Sequence, residues 1–162
     1  MNFFPVAHVL FLVTIANGSP LLAKWLMWDT LSGPVDRDLR FTDGRPVFGR
    51  SKTIRGLLVS VVSTALAAQL TGLSWSRGAL IAMMAMAGDL LSSFIKRRLG
   101  MEPSTMAIGL DQIPESGFPA LLAAQFVTLS ITDVVAVGLL FLGGGLLVSR
   151  IFYALKVRDR PY

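Results

Sequence analysis

Ala82-Met-Met-Ala-Met-Ala-Gly-Asp-Leu-Leu-Ser-Ser-Phe-Ile-Lys-Arg-Arg98 runs an apolar stretch into one acid, Asp89, and then into three consecutive cations. A carboxylate inside an apolar span costs a few kcal/mol unless it is paired, hydrated or metal-bound. On an α-helix, Ser92, Ser93 and Lys96 follow Asp89 on one face, with the acid deepest and the cation at the mouth. That order suits a metal beneath a phosphate chain. The plainer alternative is an interfacial acid paired with Lys96 or Arg97.

The rest of the chain supplies the medium for such a helix. Its 162 residues allow one domain, and 53% are hydrophobic with a mean hydropathy of +0.63. Only 15% are charged, and these are clustered, as in an integral membrane protein. With no cysteine, disulfides, thiolate metal sites and cysteine nucleophiles are excluded. His8 alone cannot build a multi-histidine zinc site, and it reads as a packed or interfacial residue. The net charge of +5 is read as a topology signal rather than as nucleic-acid binding.

The pattern predicts an all-α polytopic membrane protein with five transmembrane helices, at about 3–28, 57–73, 78–95, 116–131 and 134–154. The first is expected to be interrupted or kinked at Gly18 and Pro20. No cation precedes its apolar run, so a secretory signal peptide is not expected. Two polar loops, 29–56 and 96–115, and a tail with Lys156, Arg158 and Arg160 fall on one face and hold nearly every Lys and Arg. The positive-inside rule makes that face cytoplasmic and puts the N-terminus outside the cell membrane. Trp25, Trp28 and Trp75 read as interfacial belt residues, and Met83, Met84 and Met86 as filler. Gly143-Gly-Gly145 allows close helix packing, including a homodimer.

Asp43-Gly-Arg-Pro-Val-Phe-Gly-Arg-Ser-Lys-Thr-Ile-Arg-Gly56 is the first loop's chemical stretch. Gly44 and Gly49 have the Walker A spacing, but Arg50 follows and no nucleotide-binding strand precedes, so it is not a P-loop. Glycines nonetheless let backbone N–H groups approach an anion, and Arg45, Arg50, Lys52 and Arg55 supply charge. Thr53 or Ser51 is placed to cap the second helix. A basic loop lying on anionic headgroups is the competing reading. In the second loop Asp111 and Glu115 flank Pro114, which with Asp43 and Asp89 makes four carboxylates on the cationic face. Oxygen-only ligands point to Mg²⁺ or Mn²⁺. Glu115 alternatively serves the N-terminus of the fourth helix.

Four elements together resemble the CDP-archaeol synthase family, small five-helix membrane cytidylyltransferases that include bacterial relatives. They are Ala16-Asn17…Pro20, Asp43-Gly-Arg…Phe-Gly…Lys52-Thr-x-Arg-Gly56, Gly88-Asp89…Ser93-Phe-x-Lys-Arg97 and Leu110-Asp-Gln-Ile-Pro-Glu115. Arg50 and Ser51 stand where the archaeal pattern has small or acidic residues. The resemblance implies that CTP condenses with a lipid phosphate, with Mg²⁺ required and diphosphate released. On that basis Asp89 and Asp111 are expected as metal ligands, with Glu115 and Asp43 next. Lys52, Arg55, Lys96 and Arg97, beside Asp43, Gly44, Arg45, Gly49 and Thr53, are expected to hold the phosphates. Asn17 is expected to line the cavity.

A small transporter or flippase for a phosphorylated solute or lipid is the alternative, since it too would use a broken helix and a basic mouth. It leaves the carboxylates unexplained, because acids repel an anion unless a cation intervenes. A CDP-alcohol phosphatidyltransferase is not supported, since acids repeated at helical spacing are absent.

Overall fold

The computed structural model describes residues 2–27, 30–103, 105 and 107–154. Its helices are α1 (Phe3–Leu26), α2 (Ile54–Leu70), α3 (Trp75–Arg98), α4 (Gln112–Ala123) and α5 (Ile131–Ala154). Among the described residues there is no strand, only isolated bridges pairing Pro34 with Thr53 and Arg40 with Pro46. The side chain of Trp25, both Trp28 and Asp29, and the tail cations Lys156, Arg158 and Arg160 lie outside the described residues.

Phe3–Lys24, Trp75–Arg98 and Ile131–Arg150 are long and apolar enough to cross a membrane, and α2 is a shorter apolar helix. The chain is a multi-pass membrane protein. Both polar connections, 27–53 and 99–111, lie at the end of the bundle where α3 stops. At the other end His8 Nε2 meets Thr71 Oγ1 at 2.7 Å, and the backbone N–H of Asn2 donates to Asp133.

The first helix is not broken. It runs continuously through Pro20 for 24 residues, so of the interruption or kink expected at Gly18 and Pro20 the interruption is absent. Proline removes the amide that would bond the carbonyl four residues back, here that of Ala16. Ser60 Oγ donates to that carbonyl at 2.8 Å from α2. A tertiary hydrogen bond thus replaces the missing local one. Gly56 packs over the Pro20 ring beside it, where a Cβ would lie 3.3 Å from Pro20 Cβ.

Thr53 caps α2 by accepting from the Gly56 N–H, so that helix starts three residues before the expected 57. The fourth helix differs more, spanning 12 residues from Gln112 instead of 116–131. Gln112 accepts from the Gly109 N–H, and Ser116 Oγ returns a bond to the Gln112 carbonyl, which starts the helix early. Twelve residues reach only ~18 Å, against a hydrocarbon core of ~30 Å. In 124–130, which follows, the amides of Gln125, Phe126 and Val127 bond back to Leu122 and Ala123. Glu115 therefore belongs to the first turn of α4, not to a loop.

The core is built from Val9, Leu12 and Val13 of α1, Ile81 of α3, Ala120 and Ala123 of α4 and Val137 of α5. Small residues set the helix spacing, as lipid-embedded bundles require. A Cβ on Gly78 would overlap Ala68, and one on Gly88 would overlap the carbonyl of Pro114 and come within 2.8 Å of the Glu115 nitrogen. Backbone thus meets backbone where α3 crosses the start of α4. By contrast nothing lies within 4 Å of the corresponding positions on Gly143, Gly144 and Gly145.

This packing has a measurable consequence. Gly88→Ala should lower stability by about 1–3 kcal/mol in thermal or denaturant unfolding in detergent, because backbone cannot yield to the added methyl. Gly144→Ala, with open space around it, should leave stability unchanged or slightly raised. Equal effects of the two substitutions would show that the α3–α4 crossing is not tight.

Candidate functional site

A cavity of about 990 Å³ opens between α1, α2 and α3 at the polar end of the bundle. Asn17, Leu21 and Lys24 reach it from α1, Arg55 and Leu57 from α2, and Met86, Asp89 and Leu90 from α3. Arg50, Ser51, Lys52 and Thr53 enter from the loop, and Glu115 from α4. Asp89 lies nine residues before the end of α3, ~14 Å along the axis from Arg98. Its carboxylate is not paired with Lys96 or Arg97. It takes Lys52, whose Nζ sits 2.5 Å from Asp89 Oδ1, with both side chains about one-fifth exposed. The Glu115 carboxyl also stands within hydrogen-bonding reach of Asp89. That neighbour is imposed by the Gly88 crossing, which lays the first turn of α4 against α3 one residue before Asp89.

How Lys52 arrives is decided by the loop. Segment 31–36 runs beside 52–55: Val35 N–H donates to Lys52 O at 2.8 Å, Ile54 N–H to Gly33 O and Arg55 N–H to Leu31 O. Asp36, only 5% exposed, accepts from the N–H groups of Phe48 (2.8 Å), Gly49 (3.0 Å) and Asp38 (3.2 Å). Burial opposes its ionisation, but the amides of Gly49, Phe48 and Asp38 outweigh that and hold its pKa below 3.8. With the folded value depressed, its stabilisation is complete above the unfolded value and is lost as pH falls through the folded one. Gly49 turns the chain at φ +92°, a conformation side chains rarely adopt.

The other expected residues fall into two clamps outside the cavity lining. In the first, Lys96 Nζ lies 2.7 Å from Asp111 Oδ1 and donates to the Thr105 carbonyl, while Ala107 N–H donates to Asp111 Oδ2. Beside it, Arg97 donates to the Glu102 carbonyl and backs Gly49. Ser92 and Ser93 are buried, and Ser92 Oγ bonds the Asp89 carbonyl rather than facing the cavity.

The second clamp holds the turn 39–47, closed by Phe41 N–H to Arg45 O and Val47 N–H to Leu39 O. Arg45 donates to the carbonyls of Arg97 and Arg98, and Arg98 returns bonds to Arg45 and Pro46. Arg98 also lies 3.1 Å from Asp43 and 4.9 Å from the ring centres of both Phe41 and Phe94. Arg45 therefore satisfies the Arg98 carbonyl and adds a second bond to that of Arg97 at the end of α3, where a cation also complements the helix dipole. Gly44, at φ +76°, allows the tight turn.

Of the four expected metal carboxylates, the structure brings Asp89 and Glu115 together. Asp111 and Asp43 are held by cations in the clamps. Among the described residues no three Asp, Glu, His or Cys side chains cluster as a complete metal site. Of the expected phosphate-binding residues, Lys52, Thr53 and Arg55 line the cavity with Asn17. Gly44, Arg45, Lys96 and Arg97 build its supports, and Gly49 shapes the turn that carries Lys52. Lys24 was not expected there; its signal is a lone cation in an apolar helix one turn beyond Pro20. Arg98 and Asp36 were likewise missed, because one cation in a run of three and one acid among four in the first loop carry no local mark.

Comparison with known proteins places this geometry. The CarS-like family, CDP-archaeol synthase, matches residues 74–162, more than half of the chain. The chain belongs to the CDP-archaeol synthase family. A CDP-archaeol synthase of Sulfurisphaera tokodaii is 32% identical over 154 residues, covering 91% of this chain and 89% of that one. The Sulfolobus acidocaldarius CDP-archaeol synthase is 34% identical, with 91% of each chain covered. A solved structure of an intramembrane enzyme for archaeal membrane lipids biosynthesis superposes with a TM-score of 0.77 at 31% identity, covering 91% of this chain and 94% of that chain. Family membership thus rests on sequence and on fold across nearly the whole length.

Arg98→Ala removes the ion pair, both ring contacts and two carbonyl bonds at once. Amide hydrogen exchange at Phe41 and Val47 should accelerate at least about tenfold, the loss expected for charged hydrogen bonds of ~1.5 kcal/mol or more. Exchange within the middle of α3 should not change. Unaltered protection at those two amides would mean that the turn is held by something other than Arg98.

Proposed function

We propose that this protein condenses CTP with a membrane lipid phosphate, phosphatidic acid or an ether-lipid analogue, to give a CDP-lipid and diphosphate. As a member of the CDP-archaeol synthase family it is a CTP-dependent cytidylyltransferase acting on a lipid substrate in a membrane. The observation that carries the finer reading is the pairing of Asp89 with Glu115 beside Lys52 and Arg55, in a cavity also lined by Leu21, Leu57 and Leu90. One part of that lining suits a phosphate chain, and the other suits the hydrocarbon of an acceptor lipid.

The reaction joins a lipid phosphate oxygen to the α-phosphorus of CTP and breaks the bond from that phosphorus to the β-phosphate's bridging oxygen. The electron pair leaves with diphosphate. A phosphate monoester is largely dianionic at neutral pH, with a second pKa of about 6, so no protein base is needed to deprotonate the nucleophile. What the protein must do is hold two anions together and in line. Lys52 and Arg55 are assigned to the CTP phosphates, with Lys24 and Arg50 drawing the acceptor phosphate to the mouth.

Mg²⁺ is commonly held by one or two carboxylates and completes its shell with water and substrate phosphate. Adjoining carboxyls at Asp89 and Glu115 fit that mode. Bound there, the ion would neutralise charge on the phosphate oxygens. Asp111 and Lys96 are assigned a supporting part, fixing the α3–α4 junction that places Glu115. The reading sets the cavity at the cytoplasmic face of the cell membrane with the N-terminus outside, since the cations gather there and CTP is cytosolic.

The purified protein, given labelled CTP, Mg²⁺ and a panel of lipid phosphates, should form CDP-lipid and diphosphate from one class of lipid. Asp89→Asn and Lys52→Ala should each lower turnover by about 100-fold or more, as loss of one preorganised charge does. Asp43→Asn, whose partner is the partly exposed Arg98, should stay within about twofold. CTP binding without transfer to any lipid phosphate would point to another acceptor. Absence of CTP binding would overturn the proposal.

A further inference from the structure

Asp36 lies outside the cavity and makes no ion pair among those found in the described residues, yet it is one of the most buried acids among them. Its carboxylate is satisfied by three backbone N–H groups spread over both ends of the excursion 36–49. Such amide nests stabilise negative charge without a cation. A surface turn of this kind does not need a buried charge at its base. The segment 49–52 beyond it, which delivers Lys52 to the cavity, does need accurate placement.

The connection from Asp36 to the cavity is short and continuous. Asp36 Oδ2 fixes the Gly49 N–H; the Gly49 carbonyl accepts from the Lys52 N–H at 3.1 Å; and the Lys52 carbonyl accepts from Val35, the neighbour of Asp36. The four residues Gly49-Arg50-Ser51-Lys52 are thereby closed into a ring of hydrogen bonds anchored at 35–36. Gly49 is backed by Arg97 and Pro103, so this ring also rests against the end of α3. Lys52 leaves it toward Asp89. A lysine side chain has high rotamer entropy, so its partner can hold it with little further cost only when its backbone is already fixed.

We infer that Asp36 is a positioning residue for Lys52, acting through the Gly49–Lys52 turn to hold the ammonium over Asp89. This rests on the proposed cytidylyltransferase reading only in so far as Lys52 meets CTP. Asparagine at 36 keeps the shape but replaces one acceptor oxygen by an NH₂ facing an N–H group. The turn then loses either the Phe48 and Gly49 bonds together or the Asp38 bond, and gains a donor–donor clash in both cases.

The test uses the full chain in detergent, comparing wild type with Asp36→Asn, Lys52→Ala and the double variant. Slow acetylation of lysines, read by mass spectrometry without nucleotide, reports how firmly Lys52 is held. Its rate should rise about tenfold in Asp36→Asn, while Lys96, locked to Asp111, keeps its rate. CTP affinity should fall about ten- to a hundredfold in Asp36→Asn, as for other partners that orient a binding group. The double variant should bind no more weakly than Lys52→Ala alone.

Additive losses, or an unchanged Lys52 acetylation rate in a folded Asp36→Asn protein, would overturn the assignment. Should Asp36→Asn not fold, Gly49→Ala strains the same turn from its other side and must loosen Lys52 selectively; equal loosening of Lys96 counts against the proposal. If wild type binds no CTP, the function above fails, and the acetylation comparison still decides the role of Asp36.

Discussion

An ionised carboxylate far inside an apolar helix must be compensated, and the arrangement of the polar end depends on how Asp89 is served. Local sequence offers it Lys96 and Arg97, about two turns farther along α3. Neither is used. Lys52 comes instead from 37 residues away and Glu115 from α4, so the compensation is tertiary. Lys52 depends on a loop stiff enough to aim it, and Glu115 depends on a helix crossing close enough to reach. The glycine at 88 satisfies the second condition by letting the α4 backbone touch α3.

The charges beside the cavity divide according to work. Lys96 with Asp111, and Arg98 with Asp43 and two aromatic rings, tie loops to the end of α3. Lys24, Arg50, Lys52 and Arg55 face the cavity against Asp89 and Glu115. The cavity lining therefore presents more cations than acids, with Arg50 also paired to Asp38, while in the clamps Lys96 and Arg98 meet acids and Arg45 and Arg97 meet backbone carbonyls. Each clamp cation thus has an acid or a carbonyl to hold it, which ties the loops to the end of α3 despite their shared charge. It also gives the family motifs two different meanings: Lys52-Thr-x-Arg is a cavity motif, whereas much of Asp43-Gly-Arg and Leu-Asp-Gln is scaffold.

Several local inferences hold because they need only a few neighbouring residues. Apolar length located the long helices, and Thr53 before an apolar run marked a helix start that its hydroxyl does cap. Others fail at the point where a distant partner decides. Pro20 marks a break by its own chemistry, but Ser60 of α2 supplies the bond that keeps α1 whole. The fourth helix is shortened because Gln112 and Ser116 organise its start, and 124–130 folds back on its end.

The sequence by itself determined a membrane bundle, its polar end, the acid within α3 and the loop residues that resemble a cytidylyltransferase family. The first three follow from composition and from periodicities of three and four, which act within one segment, and the last rests on the likeness of short motifs. Only the tertiary structure decided that Asp89 faces Lys52 and Glu115, that Asp111 and Asp43 are held in clamps, and that Asp36 anchors the turn bearing Lys52. Oppositely charged side chains in separate segments have many possible partners. The backbone contacts at Gly88 and along 31–36 and 52–55 select which of them come within bonding distance.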